Sequence, residues 1–545
     1  MIPKINRGFN FIIAFCLFVA SIIVLVVSTF TTIYYDMHYD VDWPQYGKEN
    51  IPLLLILVAA VFAILFLLQK KQVFEKDRLL LVISLLFILG YCLMLILAIT
   101  PQAVNDSKLI DEVINQFAQG DYSSLTGAGG YLYTWPFQLG YVGFGQVIYS
   151  LFGPSNYFAW DIVQLLSIII TVFLLNRITW ELFEDKVICG IMSVIACGAL
   201  FFYNYVTYIY GDILSMAPQT LALYMMILYL KKGRIRYGVL SSASIAAAVV
   251  IKTNCEITLI ALLVVLVMSA ISGKIRSGFR NGDDRNNKND NKNISNSKSA
   301  IDNKEGNEQI EPSSGGRILS ALIVGALLLI ITFVSKAAVN TYYCNLTGLE
   351  VIPDGSPSWS HIAMGLQDQG GLEPGWYNRY NYDVFAANGF DTDATARAAK
   401  ENIKETLLDF ANRPLHAGKF FLRKFTTQWA DSVCISTHNL DLVSRHVDKD
   451  SALRDYLVFG SDKGCPVLIW IMNVFMPVCY IGVAAYLWGA LRGRSVSHQE
   501  MLILILIFGG IVFHEFWEGS SRYAMRYYIY WLPYAASGIK ALFSK

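Results

Sequence analysis

The sequence has little charge. Charged residues make up 16% of its 545 residues, and hydrophobic residues make up 54%, whereas a soluble globular domain carries about 25% charged residues. The mean hydropathy is +0.44. A soluble fold is therefore excluded. Since about 20 apolar residues span the hydrocarbon core of a bilayer, the repeated long apolar runs predict a chain that lies mostly in the membrane.

The sequence also lacks metal-binding spacings. Its nine cysteines and seven histidines form no CxxC or HExxH pattern. Most cysteines lie in apolar runs and are expected to pack as small side chains, although Cys344 and Cys434 share one predicted outer segment and could form a disulfide. The net charge is +1, and no basic patch is interleaved with aromatic residues. Nucleic-acid binding is therefore excluded as a function class.

Twelve apolar segments predict transmembrane helices, so the expected fold class is all-α and polytopic. The first segment follows Lys4 and Arg7 as a secretory signal would, but it is longer than a typical signal core and no small-residue cleavage site follows it. We therefore predict that it is the first helix. The predicted helices are 11–33, 52–68, 79–98, 157–175, 187–205, 213–230, 237–251, 257–271, 318–335, 467–488, 501–513 and 525–539.

Lysine and arginine in the short loops predict the orientation of these helices. The basic loops all fall on one side, which we predict to be cytoplasmic together with both termini. The segments 34–50 and 100–135 are acidic and are expected outside, the first through Asp36, Asp40 and Asp42. Segment 136–151 would invert every later loop if it crossed, so we predict a re-entrant or interfacial helix. The basic loops are the N-terminus, 70–78, 231–236, 274–280, 492–494 and 540–545.

Two long loops complete the domain organisation. The loop 272–317 contains an Asn-rich run without aromatic residues and is predicted to be a disordered cytoplasmic linker. The loop 336–464 has aromatic residues throughout and is expected to form an outer-face domain of mixed or mainly helical structure, resting on the membrane surface. The predicted parts are an N-terminal helix pair 1–78, a transmembrane core 79–271 with outer loop 100–156, the linker 272–317, a transmembrane helix 318–335, the outer-face domain 336–464 and C-terminal transmembrane helices 465–545.

A carboxylate follows the third predicted helix closely. Asp106 lies just past the membrane exit, with Asp111 and Glu112 at helical spacing behind it. If the aromatic residues of 131–135 form a roof over Asp106, its carboxylate would be partly desolvated and could act as a general base on a sugar hydroxyl. The alternative is that Asp106 caps a helix that begins at Ser107.

The same segment resembles a known family. Asp106 is followed by Gly-Asp-Tyr at 120–122 and by Tyr-Thr-Trp-Pro-Phe-Gln-Leu-Gly-Tyr at 133–141. This order is similar to that of bacterial membrane glycosyltransferases with the GT-C fold, in the protein mannosyltransferase-like (family 39-like) group that uses polyprenyl-phosphate sugar donors. In that family the outer-loop Asp is the proposed catalytic base. The resemblance assigns this role to Asp106.

A second acidic residue, Asp212, is predicted at the outer end of the fifth helix. The family often has an acidic residue in this loop, paired as Asp-x-Asp in oligosaccharyltransferases, but Tyr210 occupies the other position here. A divalent metal prefers several hard oxygen ligands. Asp212 is therefore a candidate for acceptor or metal binding without a firm metal prediction, and a helix cap for 213 is an equal alternative.

Charged residues cluster at the predicted outer turn 514–526. Charges at the ends of membrane helices are costly and usually functional. Arg522 and Arg526 lie four apart on one helical face, a spacing suited to bidentate binding of a phosphate, and Tyr523 lies between them. The Glu and the Arg-Tyr pair also resemble the family. The alternative is an ion pair between Glu518 and Arg522.

The outer-face domain supplies weaker candidates. Aromatic residues alternate with Asn, Asp and Arg at 375–383 and 413–432, which suits sugar binding, and the second stretch resembles an amphipathic segment of wall-polysaccharide glycosyltransferases. Core packing explains any single aromatic residue as well. His361 is an acid–base candidate, and with Asp111 and Glu518 it completes the supporting residues.

The resemblance implies a reaction. A sugar on an undecaprenyl-type phosphate would be transferred with inversion to a wall polysaccharide, teichoic acid or protein at the outer face, with Asp106 as base and the phosphate near Arg522 and Arg526. Two alternatives stay open: a lipid-linked oligosaccharide transporter or flippase, and a polysaccharide polymerase or ligase. A transporter calls for charges at mid-depth and internal repeats, which the sequence lacks.

Overall fold

The computed structural model describes residues 2–36, 42–286, 314–368, 373–447 and 465–544. Within these residues the chain is predominantly helical, and the sheet they contain is one antiparallel hairpin of β1 (Thr31–Tyr35) and β2 (Pro44–Lys48). The all-α polytopic fold class is therefore confirmed.

The helices of the first half are α1 (Ile2–Phe30), α2 (Ile51–Lys70), α3 (Asp77–Ile99), α4 (Asn105–Ala118), α5 (Ser123–Thr126), α6 (Tyr131–Thr134), α7 (Leu139–Phe152), α8 (Tyr157–Phe183), α9 (Lys186–Ala196), α10 (Leu200–Tyr203), α11 (Gly211–Leu214), α12 (Met216–Lys232) and α13 (Ile235–Ile251). Those of the second half are α14 (Glu256–Asn286), α15 (Ser314–Thr347), α16 (Ser358–Gly365), α17 (Tyr380–Ala387), α18 (Thr392–Asn412), α19 (Pro414–Trp429), α20 (Ser436–Ser444), α21 (Pro466–Leu491), α22 (His498–Phe516), α23 (Ser521–Tyr528) and α24 (Leu532–Phe543).

Nine helical segments of the described chain are long and apolar enough to cross a membrane, and α9 with Leu200–Thr207 makes a tenth that is bent by 59°. The predicted number was twelve. One of the other two predicted spans is α13, a shorter apolar helix. The other, 525–539, is interrupted by a 3₁₀ turn at Ile529–Trp531. Pro533 lies in the first turn of α24, where its missing N–H is tolerated, but it could not continue a helix from α23 without losing a hydrogen bond.

Segment 136–151 forms a 3₁₀ turn and α7. α7 has 14 residues, fewer than the roughly 20 that a span requires, which fits the predicted re-entrant or interfacial helix. Two predicted boundaries differ from the structure. α14 continues past the predicted boundary at 271, and the predicted linker residues 287–313 lie outside the described residues. The predicted start of the outer-face domain, 336, lies inside α15.

The outer-face domain contains α16 to α20. Leu366, Phe410 and Phe420 form a small core under the junction of α18 and α19. α20 is wholly buried, and it is anchored next to the transmembrane helices because Asn204 donates to Ser436 Oγ at 3.0 Å. Part of the domain is thus built into the bundle, not only resting on the membrane surface.

The proposed disulfide between Cys344 and Cys434 is wrong, because both are free cysteines in the structure. Cys434 is fully buried, and its thiol donates to the carbonyl of Asp431 at 3.4 Å. Cys344 lies on α15 and is partly exposed. Cys434 therefore behaves as a small packing residue.

The N-terminal hairpin is anchored to the C-terminal helices. Tyr35, at the end of β1, donates its hydroxyl to Asp431 Oδ2 at 2.8 Å and lies 3.1 Å from Ser521 Oγ. Asn473 on α21 donates to Thr32 Oγ1 at 2.7 Å. The predicted N-terminal helix pair is therefore part of the structure that positions α23. The acidic Asp40 of this loop lies outside the described residues.

Candidate active site

The turn between α22 and α23 places the two candidate arginines. Ser520 caps α23 by accepting a hydrogen bond from the Arg522 amide at 3.3 Å. Gly519 donates its amide to the carbonyl of Gly375 at 2.8 Å, which fixes the turn against the outer-face domain. α23 therefore begins in a defined position where the bundle and the domain meet.

Arg522 lies in a cage of three tyrosine rings. Its guanidinium carbon is 5.7, 5.5 and 5.3 Å from the ring centroids of Tyr208, Tyr210 and Tyr523. Nη1 donates to the Tyr208 hydroxyl at 3.0 Å, and Nη2 donates to the Tyr523 hydroxyl at 3.4 Å. The buried Nε finds no acceptor among the described residues. A buried guanidinium with an unmatched donor is suited to receiving an oxyanion.

Arg526 differs, although it is the same residue type one helical turn away. It is 1% exposed, and it donates to Ser215 Oγ at 2.9 Å and to the carbonyl of Asp212 at 3.3 Å. It also donates to Gln219 Oε1 and Cys255 Sγ. Its donors face protein acceptors, whereas Arg522 keeps a donor that is unmatched within the described part of the chain. Of the two arginines predicted to bind phosphate, Arg522 is therefore the one that the geometry leaves open to a ligand.

Asp212 is a buried counter-ion. Its Oδ1 lies 3.5 Å from Lys252 Nζ and 3.7 Å from Arg526 Nη2. The helix here is capped by Tyr210, so Asp212 is not the helix cap that the sequence allowed. Its Oδ2 is buried without a hydrogen-bond partner among the described residues. The carboxylate therefore balances two cations at once.

Lys252 is a site residue that the sequence reasoning missed. It follows α13, it is 9% exposed, and its Nζ lies 3.9 Å from the centroid of the Tyr210 ring. It lies within electrostatic reach of Arg522 and Arg526. A single lysine at the end of an apolar helix usually marks a membrane boundary. The sequence around Lys252 therefore did not indicate that this residue belongs to the site.

Asp106 lies near the group formed by Arg522, Asp212, Lys252 and the Tyr208 ring, which we call the cleft. Its carboxylate acts electrostatically on Tyr131, Tyr208, Tyr210 and Glu518, so the structure brings it close to the Arg522 cage. It lies in the first turn of α4, whose cap is Val104, so the alternative of a helix cap is wrong.

The predicted aromatic roof over Asp106 is incomplete, and the carboxylate is exposed. Tyr131 lies within its reach. Tyr133, however, packs on Phe385 with ring centroids 6.4 Å apart. Trp135 packs on His361 at 5.5 Å. These two rings join the outer-face domain to the bundle, which draws them away from Asp106.

Asp111 has a structural role. Its Oδ2 accepts hydrogen bonds from Ser155 Oγ at 2.7 Å and from the Tyr157 hydroxyl at 2.9 Å, and its side chain is buried. These bonds hold α4 against the start of α8. Glu112 on the next position is exposed.

Arg522, Tyr523 and Glu518 are joined by a chain of two hydrogen bonds. The Tyr523 hydroxyl donates to Glu518 Oε1 at 2.9 Å and accepts from Arg522. No ion pair joins Glu518 to Arg522 among the described contacts. Burial raises the pKa of Glu518, and the nearby Asp106 carboxylate raises it further. Glu518 therefore orients Tyr523, which in turn orients the guanidinium.

His361 is a packing residue. Its ring stacks on Trp517 at 4.9 Å with an interplanar angle of 4°, and Nδ1 lies 3.3 Å from Asn381 Nδ2. Burial lowers its pKa to about 4, so the ring is neutral at physiological pH. An acid–base role, as the sequence suggested, is not supported by this geometry.

Two further groups face the cleft. Tyr377 of the outer-face domain is 51% exposed, and partial burial, with the carboxylates of Glu518 and Asp106, raises its pKa to about 12. Asp42, which follows the N-terminal hairpin's first strand, acts electrostatically on Arg522 and Tyr208. From the sequence, Asp42 indicated only that segment 34–50 lies outside.

The residues around Asp212 do not fit a divalent metal. The charged groups next to its Oδ1 are the cations Lys252 and Arg526, at 3.5 and 3.7 Å, where a metal would need further oxygen ligands. No group of three or more His, Cys, Asp or Glu side chains in the described ranges is placed to hold a metal ion.

Part of the chain matches a known protein family. Residues 144–279 match the family model described as dolichyl-phosphate-mannose-protein mannosyltransferase. The match begins within α7 and ends within α14, which is about a quarter of the chain. It confirms the predicted resemblance to GT-C membrane glycosyltransferases of the protein mannosyltransferase-like group. No curated protein sequence matches the chain.

Two solved structures are similar at low identity. The archaeal oligosaccharyltransferase AglB from Archaeoglobus fulgidus, in complex with an inhibitory peptide and a dolichol-phosphate, is 14% identical with a TM-score of 0.38, over 86% of this chain and 50% of its own. ArnT from Cupriavidus metallidurans, bound to undecaprenyl phosphate, is 10% identical with a TM-score of 0.30, over 84% and 77%. This chain thus spans half the length of the archaeal protein.

Proposed function

Because residues 144–279 match the protein mannosyltransferase family, we propose that the chain is an integral membrane glycosyltransferase. It transfers a sugar from a polyprenyl-phosphate donor to a cell-envelope acceptor on the outer face. The acceptor is a wall polysaccharide, a teichoic acid or a protein. The observation that carries the proposal is the caged Arg522, whose Nε is buried without an acceptor among the described residues. Tyr208 and Glu518 lie within electrostatic reach of both Arg522 and Asp106.

The charges of the cleft support a phosphate ligand. Lys252 lies within electrostatic reach of Arg522 and Arg526. Lys252 and Arg526 both face the single buried carboxylate of Asp212, so this inner group carries a net positive charge, which is costly unless an anion is bound. A carrier phosphate held by Arg522 and Lys252 supplies that anion.

The proposed reaction is a single displacement. The acceptor hydroxyl gives its proton to the Asp106 carboxylate as its oxygen attacks the anomeric carbon. The bond between that carbon and the phosphate oxygen breaks, and the electron pair leaves with the phosphate, so the anomeric configuration inverts. Because the leaving group is already anionic, positive charge from Arg522 and Lys252 suffices to stabilise it without a strong acid.

The position of Asp106 supports its role as the base. Its exposed carboxylate is accessible to a hydrophilic acceptor from water. The proposal requires the membrane-embedded carrier to reach the buried cations from the lipid side. The tail of the carrier then lies among the transmembrane helices. In this arrangement the hydrophilic acceptor approaches from water, and the apolar tail of the donor stays in the membrane.

A binding experiment tests the donor site. The purified chain in lipid nanodiscs should bind undecaprenyl phosphate and not undecaprenol, which has the same tail and no charge. Arg522→Ala should lose this preference, and Arg397→Ala, which changes an exposed arginine on α18, should keep it. Equal binding of the phosphate and the alcohol by the wild-type chain would contradict the proposed donor.

A cellular experiment tests the reaction. A strain that lacks the gene should accumulate sugar-charged polyprenyl phosphate, and the wild-type chain should reverse the accumulation. Asp106→Asn should insert normally in the membrane and fail to reverse it. Full reversal by Asp106→Asn would favour a transporter or flippase over an enzyme.

A further inference from the structure

The outer-face domain carries large apolar side chains on its surface where α18 ends and α19 begins. Leu407, Leu408, Leu415 and Leu422 are 49%, 56%, 83% and 52% exposed. We call these four residues the leucine patch. Several large apolar side chains this exposed on two neighbouring helices are unusual on a surface that faces water, and they point to contact with another molecule or a membrane.

The leucine patch lies beside the lipid-facing edge of a transmembrane helix. Phe421 on α19 contacts Phe516, the last residue of α22, with ring centroids 5.8 Å apart. Phe516 and Val512 are exposed on the surface of α22, which is one of the predicted spans, so these side chains face lipid. α19 therefore crosses the end of α22 at the level of the membrane boundary, on its lipid side.

A cavity next to the patch has the composition of a membrane interface. It measures about 340 Å³ and is lined by Trp359, Lys400, Ile403, Lys404, Leu407 and Leu408. Lys400 Nζ lies 4.8 Å from the centroid of the Trp359 ring. Tryptophan and lysine are enriched where protein meets lipid headgroups, because each has an apolar body and a polar end.

We propose that the leucine patch inserts into the lipid leaflet on this face of the membrane, with the cavity beside Trp359 open to the headgroup region. The occupant is the bilayer in which the chain itself is embedded, because α19, which carries two residues of the patch, contacts Phe516 at the lipid-facing end of α22. Lys400, over the Trp359 ring, is placed to meet the headgroup phosphates, whereas Lys404 pairs with Glu401 at 2.8 Å. This inference does not depend on the proposed reaction.

The membrane contact and the candidate site share one helix. α19 carries Leu415 near its N-terminus, Leu422 near its middle and Lys424 two residues further on. Lys424 is fully buried, and its Nζ donates to the carbonyls of Glu515 at 3.0 Å and Trp517 at 2.7 Å. These carbonyls belong to the turn that leads to Arg522. Insertion of the patch therefore holds the helix that positions this turn.

Photolabelling of the unaltered chain tests the proposal. The wild-type protein is placed in nanodiscs that contain a phospholipid with a diazirine on its acyl chain, and the labelled peptides are identified by mass spectrometry. Labels should appear in 404–423 as well as in the transmembrane helices, and should be absent from 380–397. Absence of label from 404–423, with normal labelling of α22, would overturn the proposal.

Fluorescence quenching gives a second measurement with a matched control. Cys16, Cys197 and Cys344 are changed to serine, and a bimane label is attached at Leu415→Cys or at Asp393→Cys. Asp393 begins α18 at the end away from the patch, about 22 Å from Leu408 along the helix. Doxyl lipids should quench the label at 415 strongly and the label at 393 weakly.

Two results would assign the patch to another occupant. Equal quenching at 415 and 393 would place the patch in water. Quenching at 415 that falls as the protein-to-lipid ratio rises, with cross-links between labelled copies, would identify a second copy of the chain as the occupant. Either result contradicts insertion in lipid.

Discussion

Arg522 Nη1 donates a hydrogen bond to the hydroxyl of Tyr208 at 3.0 Å, across 314 positions of the chain. Because this bond uses a lone pair of the hydroxyl oxygen, Tyr208 keeps its own proton for another acceptor. Burial raises the pKa of Tyr208, so the hydroxyl stays protonated at neutral pH. Arg522 and Tyr208 together therefore present two kinds of donor to one anion.

The first prediction concerns the shape of the Arg522 side chain. Arg522→Lys keeps the charge and loses the planar fork, so the affinity for undecaprenyl phosphate should fall by about tenfold, or about 1.4 kcal/mol. Titration of the variant in nanodiscs measures this, with Arg397→Lys as the control. An unchanged dissociation constant in both Arg522→Lys and Arg522→Ala would remove Arg522 from the phosphate site.

The second prediction concerns the counter-ion Asp212. Asp212→Asn leaves Lys252 and Arg526 without their buried carboxylate, and loss of one partner of a buried pair typically costs about 3–5 kcal/mol. The variant should unfold at a clearly lower temperature in detergent than the wild type. Asp393→Asn, which changes an exposed carboxylate, should not shift the transition. An unshifted transition for Asp212→Asn would mean that Asp212 is not the counter-ion of this pair.

Arg522 and Arg526 show which features of the site could be predicted from the sequence. Their spacing predicted that both lie on one helical face, and α23 carries both. It could not separate their roles, because the acceptors that occupy Arg526 come from Gln219, Ser215 and Cys255 on remote segments. Tertiary contacts decide which guanidinium remains open to a ligand.

In the first outer loop, too, the position of a residue could be predicted from the sequence, whereas its tertiary contacts could not. The position of Asp106 followed from its motif, and the structure brings it to the cleft. The complete aromatic roof predicted over Asp106 is wrong, because alternating aromatic residues in a sequence do not indicate which rings pack on another domain. The spans were predictable from hydropathy, except where a helix such as 525–539 breaks within the bundle.

The third prediction tests the membrane topology, which rests on loop charge. Cysteines introduced at 280–286 should be protected from an impermeant thiol reagent in intact cells, whereas Arg379→Cys on the outer-face domain should react. Permeabilised cells serve as the control, because both sites should then react. Labelling of 280–286 in intact cells would reverse the assignment of the two faces.

The fourth prediction concerns Asp42. Its carboxylate is partly exposed and lies within electrostatic reach of Arg522, so it opposes a bound phosphate. Asp42→Asn should tighten binding of undecaprenyl phosphate by about threefold or less, because exposed charges contribute under about 1 kcal/mol. The difference should shrink as salt is added. Weaker binding in Asp42→Asn would show that Asp42 supports the phosphate site instead.

The central claim is that Asp106 is the general base of a transfer from polyprenyl phosphate. Asp106→Asn keeps the shape and cannot take the proton, and general-base catalysis contributes about 10²–10⁴-fold. Glu112→Gln is the matched control, because Glu112 is exposed on the same helix, whereas Asp111 is occupied by Ser155 and Tyr157.

The most direct measurement is the rate at which each purified variant consumes the sugar-charged polyprenyl phosphate isolated from the deletion strain, with an envelope extract as acceptor. Asp106→Asn should lose about 10²–10⁴-fold in turnover while it binds undecaprenyl phosphate as the wild type does, and Glu112→Gln should stay within a few-fold. Near-normal turnover in Asp106→Asn would contradict the account.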